Sequence, residues 1–287
     1  MQTTAINRKQ RADIAQETLA ILERGYYISQ HGNQVSIQSS LAAAKQASIH
    51  YSPEELKQVL LTLATGGKFD TTISVTNEGC LTAARRLATE DGGSPLCLNF
   101  ASAKNPGGGF LGGSEAQEEN LAKSSGLYPC IAQMTAMYEK NRAFQSCIYA
   151  DDMIYSPDVP VFRDEDYALL DNFYNASFIT APAVNLSALK MNEPDRVREA
   201  AGIMLNRINL VLALALKHGH RHLVLGAWGC GVFGNDPNKI AGYFLHALSP
   251  GSIFHGTFEK IVFAVLDKKN TGSLEAFETI FTNNKNK

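Results

Sequence analysis

The residues of this chain whose types and spacing can do chemistry are two glutamates and two runs of glycine. Gln117, Glu118 and Glu119 follow the triplet Gly107, Gly108 and Gly109 after an interval of seven residues. Three successive glycines are entropically costly, and they suit a backbone that must take unusual dihedrals or approach something closely. Consecutive N–H groups without side chains form an anion-binding concavity, reinforced where a helix N-terminus points at it, so a phosphate or a ribose is the natural occupant. Taken alone, the triplet suits a flexible surface loop equally well. Carboxylates at a helix start are commonly partners of the helix dipole. Adjacent helical residues point about 100° apart, so Glu118 and Glu119 cannot share one job: one can hold a sugar hydroxyl while the other reaches a leaving oxygen. Ordinary glycosidases place an acid and a base on separate positions flanking the scissile bond. Neighbouring glutamates fit a single acid/base carboxylate better.

The second loop, Gly229-Cys230-Gly231-Val232-Phe233-Gly234 followed by Asn235, satisfies the pattern G-x-G-x-x-G. The dinucleotide fingerprint also requires an acidic residue about 20 positions further on, and positions 250–253 hold none. A Rossmann dehydrogenase is thereby disfavoured, while phosphate cradling by the loop stands. His218-Gly219-His220-Arg221-His222 invites a metal reading, yet it falls at an expected helix end, where His and Gly serve the dipole and the cap; no metal is expected. Trp228 suits either stacking on a base or anchoring the loop in the core. Asn77 and Glu78 can help seat an adenine or be solvated turn residues.

The elements that must position these residues follow from periodicity and punctuation. An amphipathic helix is expected over 12–24, ended by Gly25, then a hairpin with arms at 26–30 and 35–38. Ser52 and Pro53 open a further helix. From there strands are expected at 71–76, 96–100, 153–155, 178–181, 223–227 and 261–266. Helices are expected at 81–89, 115–138, 194–217, after Asn235 and at 274–281. Such alternation predicts an α/β fold with helices on both faces of a sheet. Ligands of open α/β sheets sit beyond the carboxyl ends of strands, and both glycine loops fall there. Residues 1–68 read as a mainly helical N-terminal accessory region and 69–287 as the domain that carries both loops.

Bulk properties narrow the function further. Of 287 residues, 45% are apolar and 19% charged, and no run approaches the roughly 18 uninterrupted apolar residues of a membrane helix. The start of the chain lacks the apolar core of a secretory signal, and the five scattered cysteines form no CxxC pair; a cytoplasmic location is the expectation. A formal net charge of -2 gives no global field for nucleic acid, so an anionic ligand must be held by local backbone donors.

The triplet, its spacing to Gln117-Glu118-Glu119 and the preceding Asn105-Pro106 resemble the signature of poly(ADP-ribose) glycohydrolases of the bacterial type. The likeness extends to Leu98-Asn99-Phe100-Ala101-Ser102-Ala103-Lys104, Ser124-Ser125-Gly126-Leu127-Tyr128-Pro129, the 153–163 segment and the 226–235 loop. It runs from about residue 70 to the C-terminus and more weakly before it. The resemblance implies a macrodomain, a three-layer α/β/α sandwich with a mixed central sheet. It also implies hydrolysis of ribose–ribose bonds to release ADP-ribose, without a cofactor. Glu119 would be the catalytic acid/base and Glu118 would bind hydroxyls beside the scissile bond. Gly107, Gly108 and Gly109 would surround the distal ribose and diphosphate, Asn105 would contact that ribose, and Gln117 would belong to the substrate-binding set. Gly229, Cys230, Gly231, Val232 and Gly234 would close over the diphosphate, Phe233 would pack beside the substrate and help orient the ribose, and Asn235 would belong to the substrate-binding set. The substrate would be poly(ADP-ribose) or an ADP-ribosylated protein, with no membrane and no sequence-specific nucleic acid as partner. A mono-ADP-ribosyl-protein hydrolase and a non-catalytic ADP-ribose reader are the alternatives.

Overall fold

A computed structural model describes residues 6–63 and 66–282; the ends of the expected 1–68 and 69–287 division, at 1–5 and 283–287, lie outside them. The first helix, α1 (Arg8–Arg24), opens on a capping box between Asn7 and Gln10 and closes on Gly25, whose φ of 77° supplies the left-handed cap. A short hairpin follows, β1 (Tyr26–Ile28) and β2 (Gln34–Ser36), in the register Tyr27 opposite Val35. Then come α2 (Gln38–Ala47), β3 (Ile49–Tyr51) and α3 (Pro53–Thr62). Ser52 and Glu55 form the capping box of α3.

The alternating part comprises β4 (Thr72–Thr76), α4 (Cys80–Glu90), β5 (Leu96–Phe100), α5 (Gln117–Ser124), α6 (Leu127–Ala132), α7 (Thr135–Ala143), β6 (Met153–Arg163) and β7 (Leu169–Ala181). It continues with α8 (Leu186–Asn192), α9 (Ala200–Lys217), β8 (His222–Leu225), α10 (Pro237–Leu248), β9 (Lys260–Ala264) and α11 (Ser273–Thr282). A seven-stranded sheet runs in the order β3-β6-β7-β5-β8-β9-β4. Pairing is parallel from β7 through β5, β8 and β9 to β4, and antiparallel at β3–β6 and β6–β7. The sheet is therefore mixed, and its edge strand β3 comes from the first 68 residues.

Period-two alternation sends successive strand residues to opposite layers. Leu96 and Leu98 of β5, Leu223 and Leu225 of β8, and Ile261 and Phe263 of β9 enter one core, covered by α3, α9, α10 and α11. Cys97, Val224 and Val262 enter the other, under α2, α4, α5, α6 and α7. The α/β/α expectation holds. Helix α9, with the 3-10 turn Pro194–Glu199 before it, is long and apolar enough by composition to cross a membrane. Here it is a core helix, with Ile208, Leu212, Ala213 and Leu214 fully buried.

Three expectations are corrected. The helix expected over 115–138 is broken into α5, α6 and α7, because Ser125 is extended (φ -147°, ψ 175°) and bridges Val161 of β6. The strands expected at 153–155 and 178–181 are ends of a much longer antiparallel pair. Pro157 falls in a register shift between Ser156 and Val159, while Pro160 stays in register opposite Asn175. Strands β8 and β9 stop at Leu225 and Ala264, short of the expected ends, and release the following residues to loops.

Candidate active site

Because β4, β5, β7, β8 and β9 are parallel, their carboxyl ends share one edge of the sheet. A cleft of about 660 Å³ opens there, lined among others by Glu78, Phe100, Gln117, Asn120, Cys230 and Asp267. The β5–α5 loop and the β8–α10 loop supply two of its sides. The rest comes from the turns after β4 and β9, so Glu78 of the Asn77-Glu78 pair does face the cleft. Its carboxylate is ion-paired with Arg86, while the Asn77 side chain accepts from the Asp267 amide at 3.0 Å and braces the turn after β9.

The glycine triplet and the glutamates are brought into contact. Gly107 and Gly108 have φ of 71° and 59°, the left-handed region that only glycine enters cheaply. A Cβ at Gly108 would lie 2.4 Å from Oε1 of Glu119 and 3.3 Å from Oε2 of Glu118. The loop is thus folded directly onto both carboxylates. Glu119 is half-buried and its Oε1 accepts the Gly109 amide at 3.0 Å. Among the described residues no hydrogen bond occupies its other oxygen.

Glu118 is 3% exposed. Burial pushes its carboxyl from 4.5 up to about 8, against the opposing effect of the hydrogen bonds it accepts, with the charge of Glu119 adding to the rise. Those bonds come from the Ser102 amide (2.6 Å) and Nδ2 of Asn99 (3.3 Å). Asn99 is itself fully buried, touches the Thr180 hydroxyl through the same nitrogen (3.1 Å), and leaves its own Oδ1 without a partner. A half-turn of that amide would bring Oδ1 to the O–H of a protonated Glu118, which is the species that burial favours.

Gln117 lines the cleft, but its amide is occupied at both ends by β5. Nε2 donates to the Leu98 carbonyl (2.7 Å) and Oε1 accepts the Phe100 amide (2.9 Å). It fixes the first turn of α5 to the end of the strand. Asn105 is exposed, with its amide on the Ser102 hydroxyl at 3.2 Å and its carbonyl accepting the Gly108 amide.

In the second loop, Gly229 and Gly234 have φ of 74° and 67°, and a Cβ at Gly234 would lie 2.1 Å from Oγ of Ser187. Asn235, 6% exposed, stitches the loop: its Nδ2 donates to the carbonyls of Val184 (2.8 Å) and Gly229 (3.1 Å). Gly231 stands in open space, Val232 is 87% exposed and Cys230 lines the cleft, its thiol pushed up to about 12 by burial. Phe233 packs near Tyr149, ring centres 6.1 Å apart. Trp228 is fully buried and donates to the Ala181 carbonyl at 3.2 Å, so of its two readings the core anchor is the one realised.

The histidines diverge. His218 stacks on Tyr155 and meets the Tyr51 hydroxyl, His220 meets the Tyr155 hydroxyl, and His222 faces Asp91 and Glu259. Among the described residues no group of three His, Cys, Asp or Glu is placed to hold a metal ion. Sequence reasoning missed Asn99, Ser102 and the arginines of α1 that hold the first loop from outside. Asn99 had a visible signal, a lone amide in the apolar run Leu96-Cys97-Leu98. Arg8 and Arg11 had none.

A mixed α/β/α sheet whose parallel strand ends present two glycine-rich loops, a buried carboxyl and a half-buried carboxyl with one oxygen unengaged defines a macrodomain-type hydrolase. The family model described as the microbial-type PARG catalytic domain matches residues 15–164. Among solved structures, poly(ADP-ribose) glycohydrolase from Thermomonospora curvata is 45% identical, with a TM-score of 0.92 over 95% of this chain and 100% of that one. The same enzyme bound to the inhibitor ADP-HPD is 44% identical, TM-score 0.89, over 94% and 99%. The glycohydrolase from Deinococcus radiodurans in complex with ADP-ribose is 40% identical, TM-score 0.79, over 85% and 97%. No curated protein matches. The chain belongs to the microbial-type poly(ADP-ribose) glycohydrolase family.

Proposed function

We propose that the chain hydrolyses the ribose–ribose bonds of poly(ADP-ribose) and releases ADP-ribose, with Glu119 as general acid and then general base. The observation that carries this is the pinning of Glu119 Oε1 by the Gly109 amide, which fixes the carboxyl while leaving Oε2 for the reacting oxygen. As the C1″–O2′ bond breaks, an oxocarbenium-like centre forms on the distal ribose and the departing O2′ takes the Glu119 proton. Water then bonds to C1″ and returns its proton to Glu119. Glu118, buried and neutral beside it, would hold a ribose hydroxyl without adding a second negative charge. The Gly108 and Gly109 amides of the first loop are taken by Asn105 and Glu119, whereas among the described residues the amides of Gly231, Val232 and Phe233 make no hydrogen bond, so it is the second loop that suits the diphosphate. That the related glycohydrolases bind ADP-ribose and ADP-HPD supports this occupant. Five free thiols are consistent with the cytoplasm, where we place the activity.

The test is incubation of wild type and Glu119→Gln with purified poly(ADP-ribose) and, separately, with mono-ADP-ribosylated protein, following released ADP-ribose. Polymer breakdown by wild type, reduced at least about a hundredfold in the variant with ADP-ribose binding retained, supports the reading. Release from the modified protein alone would replace it with a mono-ADP-ribosyl hydrolase, and binding without either reaction would leave a reader.

A further inference from the structure

The helix that carries Glu119 also carries a charge into the protein interior. Lys123, one turn further along α5, is 0% exposed. Its Nζ donates to the Ser114 carbonyl at 3.1 Å and lies 4.8 Å from the centre of the Tyr167 ring. Tyr167 holds that place at a φ of 66°, with its carbonyl fixed by the Arg163 guanidinium at 2.8 Å. A buried ammonium is costly to desolvate, and an apolar side chain of similar length would pack there at lower cost. Burial lowers the Lys123 ammonium to about 8, with Glu115 and Glu119 attracting it and Arg11 opposing them.

The contacts around this ammonium close on themselves. Lys123 donates to the Ser114 carbonyl, the Ser114 amide donates to the Gly109 carbonyl at 3.2 Å, and the Gly109 amide donates to Glu119 at 3.0 Å. The backbone of α5 joins Glu119 back to Lys123. Helix α1 braces this ring from outside. Thr18 donates to the Lys123 carbonyl (2.6 Å), Arg8 to the Gly112 carbonyl and Arg11 to the Gly113 carbonyl (2.9 Å each), and Arg11 pairs with Glu115 at 2.9 Å.

We propose that Lys123 is a positioning residue for Glu119: its buried ammonium closes a ring of hydrogen bonds that locks the first glycine loop to the catalytic helix and so aims the carboxyl. The proposal rests on the reading of Glu119 as the acid. The ring reaches Glu119 through the Gly109 amide and does not include the second glycine loop, so its loss falls on kcat before KM.

The experiment compares Lys123→Met, Lys123→Gln and Lys123→Arg in the full chain on poly(ADP-ribose), with Glu119→Gln as control. Met removes the donor. Gln, one bond too short for the Ser114 carbonyl, is the variant to read should Met fail to fold. Both are expected to lower kcat at least about tenfold, the scale of a misplaced catalytic group, while KM and ADP-ribose affinity stay within about threefold. Arg, which can reach the same carbonyl, is expected to recover to within about threefold of wild type. A folded Met or Gln variant with wild-type kcat overturns the proposal. So does a loss of kcat, KM and Tm together that Arg does not relieve, which would mark a merely structural residue. If Glu119→Gln turns over like wild type, the acid assignment beneath it fails instead and takes this inference with it.

Discussion

Gly108 and Glu119 are in direct apposition: the space where a side chain would begin on the one is filled by the carboxylate of the other, 2.4 Å away. Glycine at position 108 is therefore required by a protein group, whatever a ligand adds. Gly108→Ala would force the carboxylate aside and impose a left-handed φ on alanine, a strain of about 1–2 kcal/mol. We expect kcat on poly(ADP-ribose) to fall by at least about tenfold while Tm moves by only a few degrees. An alanine variant with unchanged turnover would show that Glu119 need not occupy that place.

The second loop depends on a different residue. Asn235→Ala leaves the carbonyls of Val184 and Gly229 without their side-chain donor, at a cost of about 1–3 kcal/mol. The loop should loosen as a unit, so ADP-ribose affinity is expected to weaken roughly tenfold with kcat nearly unchanged. Calorimetric titration with ADP-ribose decides it, and an unaltered Kd would remove the loop from diphosphate binding.

The chemistry-bearing residues were legible in the sequence because glycine and glutamate carry their own signals there. The strands β5, β8 and β9 were legible as short continuous apolar runs, as strands buried on both faces are. What was hidden is long-range. Arg8 and Arg11 reach the first loop across more than a hundred residues, and nothing in the polar stretch before the helix expected at 12–24 marks them as other than solvated charges. The occupation of Gln117 by the β5 backbone likewise depends on how the strand and α5 meet. The break at Ser125 was hidden for the same reason: the α5–α6 run has helical composition, and its interruption is imposed by a bridge to β6.

Trp228 separates anchoring from base stacking experimentally. Trp228→Phe keeps most of the buried ring and loses one hydrogen bond, about 1 kcal/mol. Trp228→Ala opens a cavity and should cost about 3–5 kcal/mol. ADP-ribose affinity of the folded Phe variant is expected to stay within about threefold. Denaturant unfolding and calorimetry together check this, and a large affinity loss without a stability loss would restore the stacking role.

Glu118 links the site to stability through pH. Its carboxyl stands near 4.5 in the unfolded chain and is raised to about 8 by burial in the fold. Below pH 4.5 both states are protonated and the folded state bears no penalty. Between about 4.5 and 8 the unfolded chain releases its proton while the native protein retains it, so stability falls as pH rises. Above about 8 both are ionised and the loss is complete, on the order of a few kcal/mol. Glu118→Gln cannot titrate, so this slope should vanish from it even though it loses one of the two oxygens that accept from Ser102 and Asn99. The prediction is a difference: the stability of the variant minus that of wild type should grow steadily from pH 5 to pH 8 in denaturant titrations. Taking the difference cancels every titrating group that does not interact with Glu118. Parallel curves across that range would mean that Glu118 is ionised in the native state, and that the neutral carboxyl assigned to the ribose hydroxyl is instead an anion held by Ser102 and Asn99.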